Sequence, residues 1–106
     1  MYQVVFHLSD LPRWNRAINN IQNFLKAEPS ATLVLVVNGD AVKGFVYPEV
    51  IDKLDGLLSQ VLVCACANSL KGNDIELSHD TGIKTIQAGV VAIAQYQANG
   101  FAYIKP

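Results

Sequence analysis

Hydrophobic positions along this chain keep switching between two periods. From Tyr2 to Leu8, β-branched and aromatic residues dominate, which predicts a first strand. Ser9-Asp10-Leu11-Pro12 breaks the run, with Ser9 or Asp10 as a helix cap and Pro12 near the first helical position. Trp14, Ala17, Ile18, Ile21, Phe24 and Leu25 then recur at helical spacing among Arg and Asn residues, predicting an amphipathic helix of about four turns. Ala31 to Val37 is almost unbroken apolar, the pattern of a strand covered on both faces, and Asn38-Gly39-Asp40 ends it.

The second half repeats the alternation. Ala41 to Val46 fits either a short helix or an ordered loop. Pro48 opens a helix with Val50, Ile51, Leu54, Leu57 and Leu58 on one face. Val61 to Cys66 reads as a third strand, and Asn68 to Asn73 as a turn or short helix. Ile75 to Thr81 is polar and irregular, with room for another short helix. Ile83 to Ala88 reads as a fourth strand. Gly89 starts a third long helix, closed by Asn99-Gly100 as a left-handed cap, and Phe101 to Ile104 forms a last strand. This order predicts one α/β domain: a mainly parallel sheet, helices on both faces, right-handed crossovers. No repeat, low-complexity tract or linker interrupts it.

Composition changes the picture in one respect. Of 106 residues, 51% are hydrophobic and only 16% charged, against roughly 25% in an average domain. A chain this small with so few charges has trouble covering its own surface, which points to a homo-oligomer. The eight Lys and Arg residues are scattered and the net charge is -1, so no footprint for nucleic acid is present. No apolar run reaches the length of a membrane span. Met1-Tyr-Gln-Val-Val-Phe-His lacks the basic and small-residue features of a signal peptide. Cys64 and Cys66 lie one residue apart on the same strand face, a poor geometry for a disulfide. Reduced thiols without a signal peptide predict a cytoplasmic protein.

In a parallel sheet, chemistry gathers beyond the carboxyl ends of the strands. Here those ends supply His7, Ser9 and Asp10; Asn38, Gly39 and Asp40; and Cys66, Asn68 and Ser69. Cys66, where a strand breaks into a helix start, is the favoured reactive thiol, because backbone amides there favour the thiolate. Asn68 is placed to cap that turn or to donate to a bound sulfur anion. The competing reading packs both cysteines as small hydrophobes. His7 is a candidate to polarise the thiol or act as an acid–base group; otherwise it is a hydrogen-bonded strand-end histidine. Asn38-Gly39-Asp40 is a turn or a backbone nest for an anion. Cys64, Cys66, His7 and His79 lack the paired spacing of a zinc site, so no metal is expected. No G-x-G-x-x-G fingerprint or P-loop is present, so no nucleotide or flavin cofactor is expected. Trp14, Tyr96, Phe101 and Tyr103 read as packing or interface residues.

Two segments carry a resemblance. Cys66-Ala-Asn68-Ser69-Leu70 and the ending Gln97-Ala-Asn-Gly100-Phe-Ala-Tyr103-Ile-Lys105-Pro106 resemble the small DsrE/DsrF-like proteins, in order and spacing, along essentially the whole chain. The resemblance implies a three-layer α/β/α sandwich with a five-stranded, mainly parallel sheet, flavodoxin-like in outline. It implies cytoplasmic homo-oligomers, trimers or hexamers, and a cysteine that carries sulfur as a persulfide between donor and acceptor proteins. The Cys-x-Asn-Ser-Leu spacing selects Cys66, whereas counting back from Gly72 selects Cys64. The expected function is therefore a sulfur carrier of sulfurtransferase-like chemistry, with Cys66, Cys64 and His7 as reactive candidates. Asn38, Gly39, Asn68 and Ser69 are the candidate anion-binding residues. The alternative is a non-catalytic oligomeric binding module with structural cysteines.

Overall fold

The computed structural model describes residues 1–78 and 80–106. Five parallel strands form one sheet in the order β4-β3-β2-β1-β5: β1 (Gln3–Leu8), β2 (Thr32–Val37), β3 (Val61–Cys66), β4 (Lys84–Ile86) and β5 (Ala102–Ile104). The helices are α1 (Trp14–Ala27), α2 (Pro48–Asp55), α3 (Ala67–Gly72) and α4 (Gly89–Ala98), with a 3-10 stretch over Gly39–Val46. No helix among the described residues is long and apolar enough to cross a membrane.

Connection direction decides which face each helix covers. The chain steps from β1 to β4 one way along the sheet, so right-handed crossovers put α1, the 3-10 stretch, α2 and α3 on one face. It then returns past β1 to β5, which puts α4 on the other. Side-chain alternation follows the same division. Phe6, Leu8, Leu35, Val37, Val63 and Ala65 face the α1 side and pack with Trp14, Ile18, Ile21, Val42 and Leu54. Val5, Val34, Val36 and Cys64 face α4, where Ile93 is the buried helix residue above them.

Local sequence explains the boundaries. Trp14, Ala17, Ile18, Ile21 and Leu25 form the buried stripe of α1, as the spacing predicts. Asp10 takes the expected cap position, with Pro12 in the first turn, but it caps a 3-10 turn, Leu11–Arg13, that leads into α1, and it makes no side-chain cap bond. Asp10 instead pairs with Arg13 at 3.5 Å. The ambiguous Ala41–Val46 segment belongs to the 3-10 stretch, where Gly44 lies under the Trp14 indole; a Cβ there would collide with Nε1. That nitrogen donates to the Ala41 carbonyl at 2.8 Å. No helix forms in the described part of Ile75–Thr81. The fourth strand is shorter than Ile83–Ala88 because β4 is an edge, paired only with β3. At the end of α4, Gly100 has φ +92°, Phe101 N–H reaches the Tyr96 carbonyl and Gly100 N–H the Gln97 carbonyl. The Tyr96 and Phe101 rings pack at a 58° tilt with centroids 4.9 Å apart, completing a Schellman cap.

Candidate functional site

The parallel strands bring all their carboxyl ends to one rim. Along it, β3 and β4 are the neighbours whose following helices leave toward opposite faces: α3 carries Leu70 into the larger cluster, and α4 carries Ile93 into the smaller. Such a switch point leaves a crevice between the two helix starts. Cys66 is the last residue of β3 and the cap position of α3, so its sulfur sits in that crevice.

The surroundings of Cys66 are hydrogen-bond donors. The Gly89 N–H, first in α4, lies 3.3 Å from Sγ. The Gly39 N–H donates to Ser69 Oγ at 2.8 Å, which leaves the Ser69 hydroxyl hydrogen for the sulfur. Burial pushes the Cys66 thiol up, but the Ser69 hydroxyl and the amides of Ser69, Gly89 and Asn68 more than offset it, and the thiol is lowered overall. Gly89 is needed for this approach: a Cβ there would meet Asn38 Cβ at 3.1 Å and Val36 Cγ1 at 3.3 Å.

Cys64, two residues back on the same face, lies in a different environment. It is 1% exposed, against 5% for Cys66, among Val34, Val36 and Ile93. Desolvation raises its thiol, and the charge of Lys84, beside it in register on β4, only partly opposes that. Two thiols on one strand face are thus pushed in opposite directions. Both are free.

Several expected roles are redistributed. His7 makes no hydrogen bond to Cys66 among the described residues: Nδ1 lies 2.7 Å from the Tyr103 hydroxyl and Nε2 2.9 Å from Asn38 Oδ1. It is a strand-end histidine with both ring nitrogens partnered, not a base on the thiol. Of the turn and the anion nest open at Asn38-Gly39-Asp40, the nest loses two of its amides, which are already used. Asn38 N–H continues the ladder to the Leu8 carbonyl at 3.0 Å, and Gly39 N–H goes to Ser69. Gly39, at φ +58°, supports the site by holding Ser69. Asn68 contributes its backbone amide while its side chain makes no cap. His79 lies outside the described residues. Among the described ones, no three His, Cys, Asp or Glu side chains converge as metal ligands.

Sequence reasoning missed the Gly89 amide and Tyr103. Gly89 read as a helix start and Tyr103 as a packing or interface residue. Their partners lie 23 and 96 residues away in the chain.

Fold and site together define a small parallel α/β protein with a thiol at its topological switch point. No protein-family model and no curated protein sequence matches the chain. Solved structures do. MTH1491, a protein of unknown function from Methanobacterium thermoautotrophicum, is 29% identical with a TM-score of 0.88, and all of both chains is covered. The ychN protein from E. coli is 19% identical with a TM-score of 0.84, again over all of both chains. BT1422, a conserved protein of unknown function from Bacteroides thetaiotaomicron, is 14% identical with a TM-score of 0.80, over 98% of this chain and 94% of that one. These likenesses fix the α/β sandwich fold.

Proposed function

We propose that this protein is a DsrE/DsrF-like sulfur carrier that holds sulfane sulfur as a persulfide on Cys66. One observation carries the reading: the Cys66 sulfur lies at the switch point with the Gly89 N–H 3.3 Å away and its thiol lowered, whereas the neighbouring Cys64 is sealed and raised. The chemistry is a displacement. The Cys66 thiolate attacks the outer sulfur of a donor R–S–SH; a new S–S bond forms, the old one breaks, and R–S⁻ departs. The proton stays with the transferred sulfur or is lost to water. Delivery to an acceptor thiolate repeats the step from the other side. No external oxidant or reductant enters.

The carrier works as a homo-oligomer, a trimer or hexamer, alongside sulfur donor and acceptor proteins in the cytoplasm. The α4 face supports the assembly. It leaves Val90 63%, Val91 54%, Leu62 40% and Tyr103 39% exposed, and α4 is apolar on its outer as well as its inner side. The same face and the 5% exposure of Cys66 favour a second reading, a binding module whose thiols are structural.

Incubation with tetrasulfide followed by intact-mass measurement separates the two. The carrier gains the mass of sulfur atoms, on Cys66 by peptide mapping, and Cys66→Ala loses that gain. No adduct on the folded wild-type protein, or the same adduct on Cys66→Ala, overturns the carrier reading and leaves the binding module.

A further inference from the structure

Three polar side chains from three strands form a row along the rim on the α4 face. Tyr103 on β5, His7 on β1 and Asn38 after β2 follow one another across the sheet. The bonds of the row have a direction. An amide oxygen only accepts, so His7 Nε2 carries its hydrogen and donates to Asn38 Oδ1 at 2.9 Å. Nδ1, on the other side of the ring, lies 2.7 Å from the Tyr103 hydroxyl, which holds the ring in place.

The consequence falls on Asn38. Its oxygen is committed to His7, so its NH₂ faces the other way. There it lies 3.4 Å from where a Cβ of Gly89 would stand, and Gly89 is the residue whose amide serves the Cys66 sulfur. Register leads to the same place. Val36 pairs with Cys64 and Val37 with Ala65, so position 38 lies beside position 66. Among the described residues Asn38 Nδ2 donates to no protein group. Among the described residues no buried side-chain polar atom lacks a partner, so this NH₂ faces solvent, oriented by two further residues and able to exchange water for a group on Cys66.

We propose that Asn38 Nδ2 is the donor reserved for the outer sulfur of the group carried on Cys66. Tyr103 and His7 are positioning residues that keep the amide from turning its oxygen toward that sulfur. This rests on the sulfur-carrier reading. The thiolate already has Gly89, Ser69 and Asn68. A persulfide moves its charge one S–S bond outward, about 2.05 Å. The outer atom then needs a donor of its own, and an oxygen in the same place would repel it.

Two readouts on the full chain test this: the pH profile of alkylation of the unloaded Cys66 thiol, and the lifetime of the persulfide after tetrasulfide loading and removal of excess donor. Asn38→Ala is expected to shorten the persulfide lifetime about tenfold, the worth of one charge-assisted hydrogen bond, and to leave the thiol profile in place; the isosteric Asn38→Asp shortens the lifetime at least as much, and its carboxylate also raises the thiol. His7→Phe and Tyr103→Phe move lifetime the same way by less, and His7→Gln, which keeps an N–H for Asn38, recovers part of the loss. If the wild type loads and Asn38→Asp keeps its persulfide as long, the assignment of Asn38 is overturned while the carrier stands. A thiol profile that shifts in step with lifetime in Asn38→Ala also overturns it, since Asn38 then acts on the whole site. If the wild type takes no sulfur at all, the carrier reading itself falls, and this proposal with it.

Discussion

The two faces of the sheet are built for different purposes. The α1 face carries most of the core: Phe6, Leu8, Ile21, Leu35, Val37, Val42 and Val63 are almost or fully buried, under α1, α2 and the 3-10 stretch. The α4 face has one helix over it and a core of Val5, Val34, Val36, Cys64 and Ile93. Yet every polar side chain of the rim row, and the Cys66 sulfur, lies on this thinner face. Stability is concentrated on one side, which leaves the other free to hold donors, a thiol and exposed apolar surface. Thin covering costs packing but lets donors from α3 and α4 converge on one atom.

That division can be broken from the heavy side first. Ile21→Ala, at a site with 0% exposure, should cost about 2–5 kcal/mol in urea unfolding, and Ile93→Ala, the corresponding deletion under α4, should fall at the low end of that range. Equal losses would contradict the asymmetry. Gly44→Ala should cost about 1–3 kcal/mol, because the new methyl would have to displace the Trp14 ring. Ser69→Ala should cost about 1 kcal/mol by leaving the Gly39 amide without its acceptor. Its larger effect is chemical: alkylation of Cys66 at neutral pH slows several-fold, because a donor that lowers the thiol is gone. Unchanged alkylation would remove Ser69 from the site. On the exposed side, Val91→Asp should leave unfolding within about 0.5 kcal/mol of wild type and yet dissociate the proposed homo-oligomer in sedimentation, since Val91 is 54% exposed in one chain.

The smallest effect separates the two thiols by pH. An unfolded cysteine ionises near ~8.5. Cys66 ionises lower when folded, so it adds stability that is fully present above the unfolded value and is lost as pH falls through the folded one. Cys64 ionises higher when folded, so its stability is present below the unfolded value and is lost as pH rises through the folded one. Cys66→Ala should therefore steepen the alkaline loss of stability and Cys64→Ala should flatten it. The opposite pair of slopes would reverse their assignments.

Much of this architecture was legible in the residues because it is local. Val61–Cys66 forms a strand over the expected residues, α1 buries the expected stripe, and Asn99-Gly100 ends α4 as a cap. The 3-10 stretch was not legible, since its shape depends on Gly44 meeting an indole from another element. The site divides the same way. Cys66 and Ser69 lie in one short segment, and a strand running into a helix start announces them. The rest of the site is long-range. Gly89 reaches the sulfur only because β4 lies beside β3. Tyr103 reaches His7 only because β5 returns to lie beside β1, a placement that neither periodicity nor spacing encodes. The same pairings occupy His7 and the Gly39 amide, which taken alone looked available for the thiol or an anion.

Alkylation of Cys64 and Cys66, followed in one sample by peptide mass spectrometry across pH, decides whether Cys66 is the reactive thiol. Cys66 should react with a midpoint below ~8.5 while Cys64 stays protected until the protein unfolds. Equal rates for the two, or a Cys66 that reacts only above that value, would contradict it.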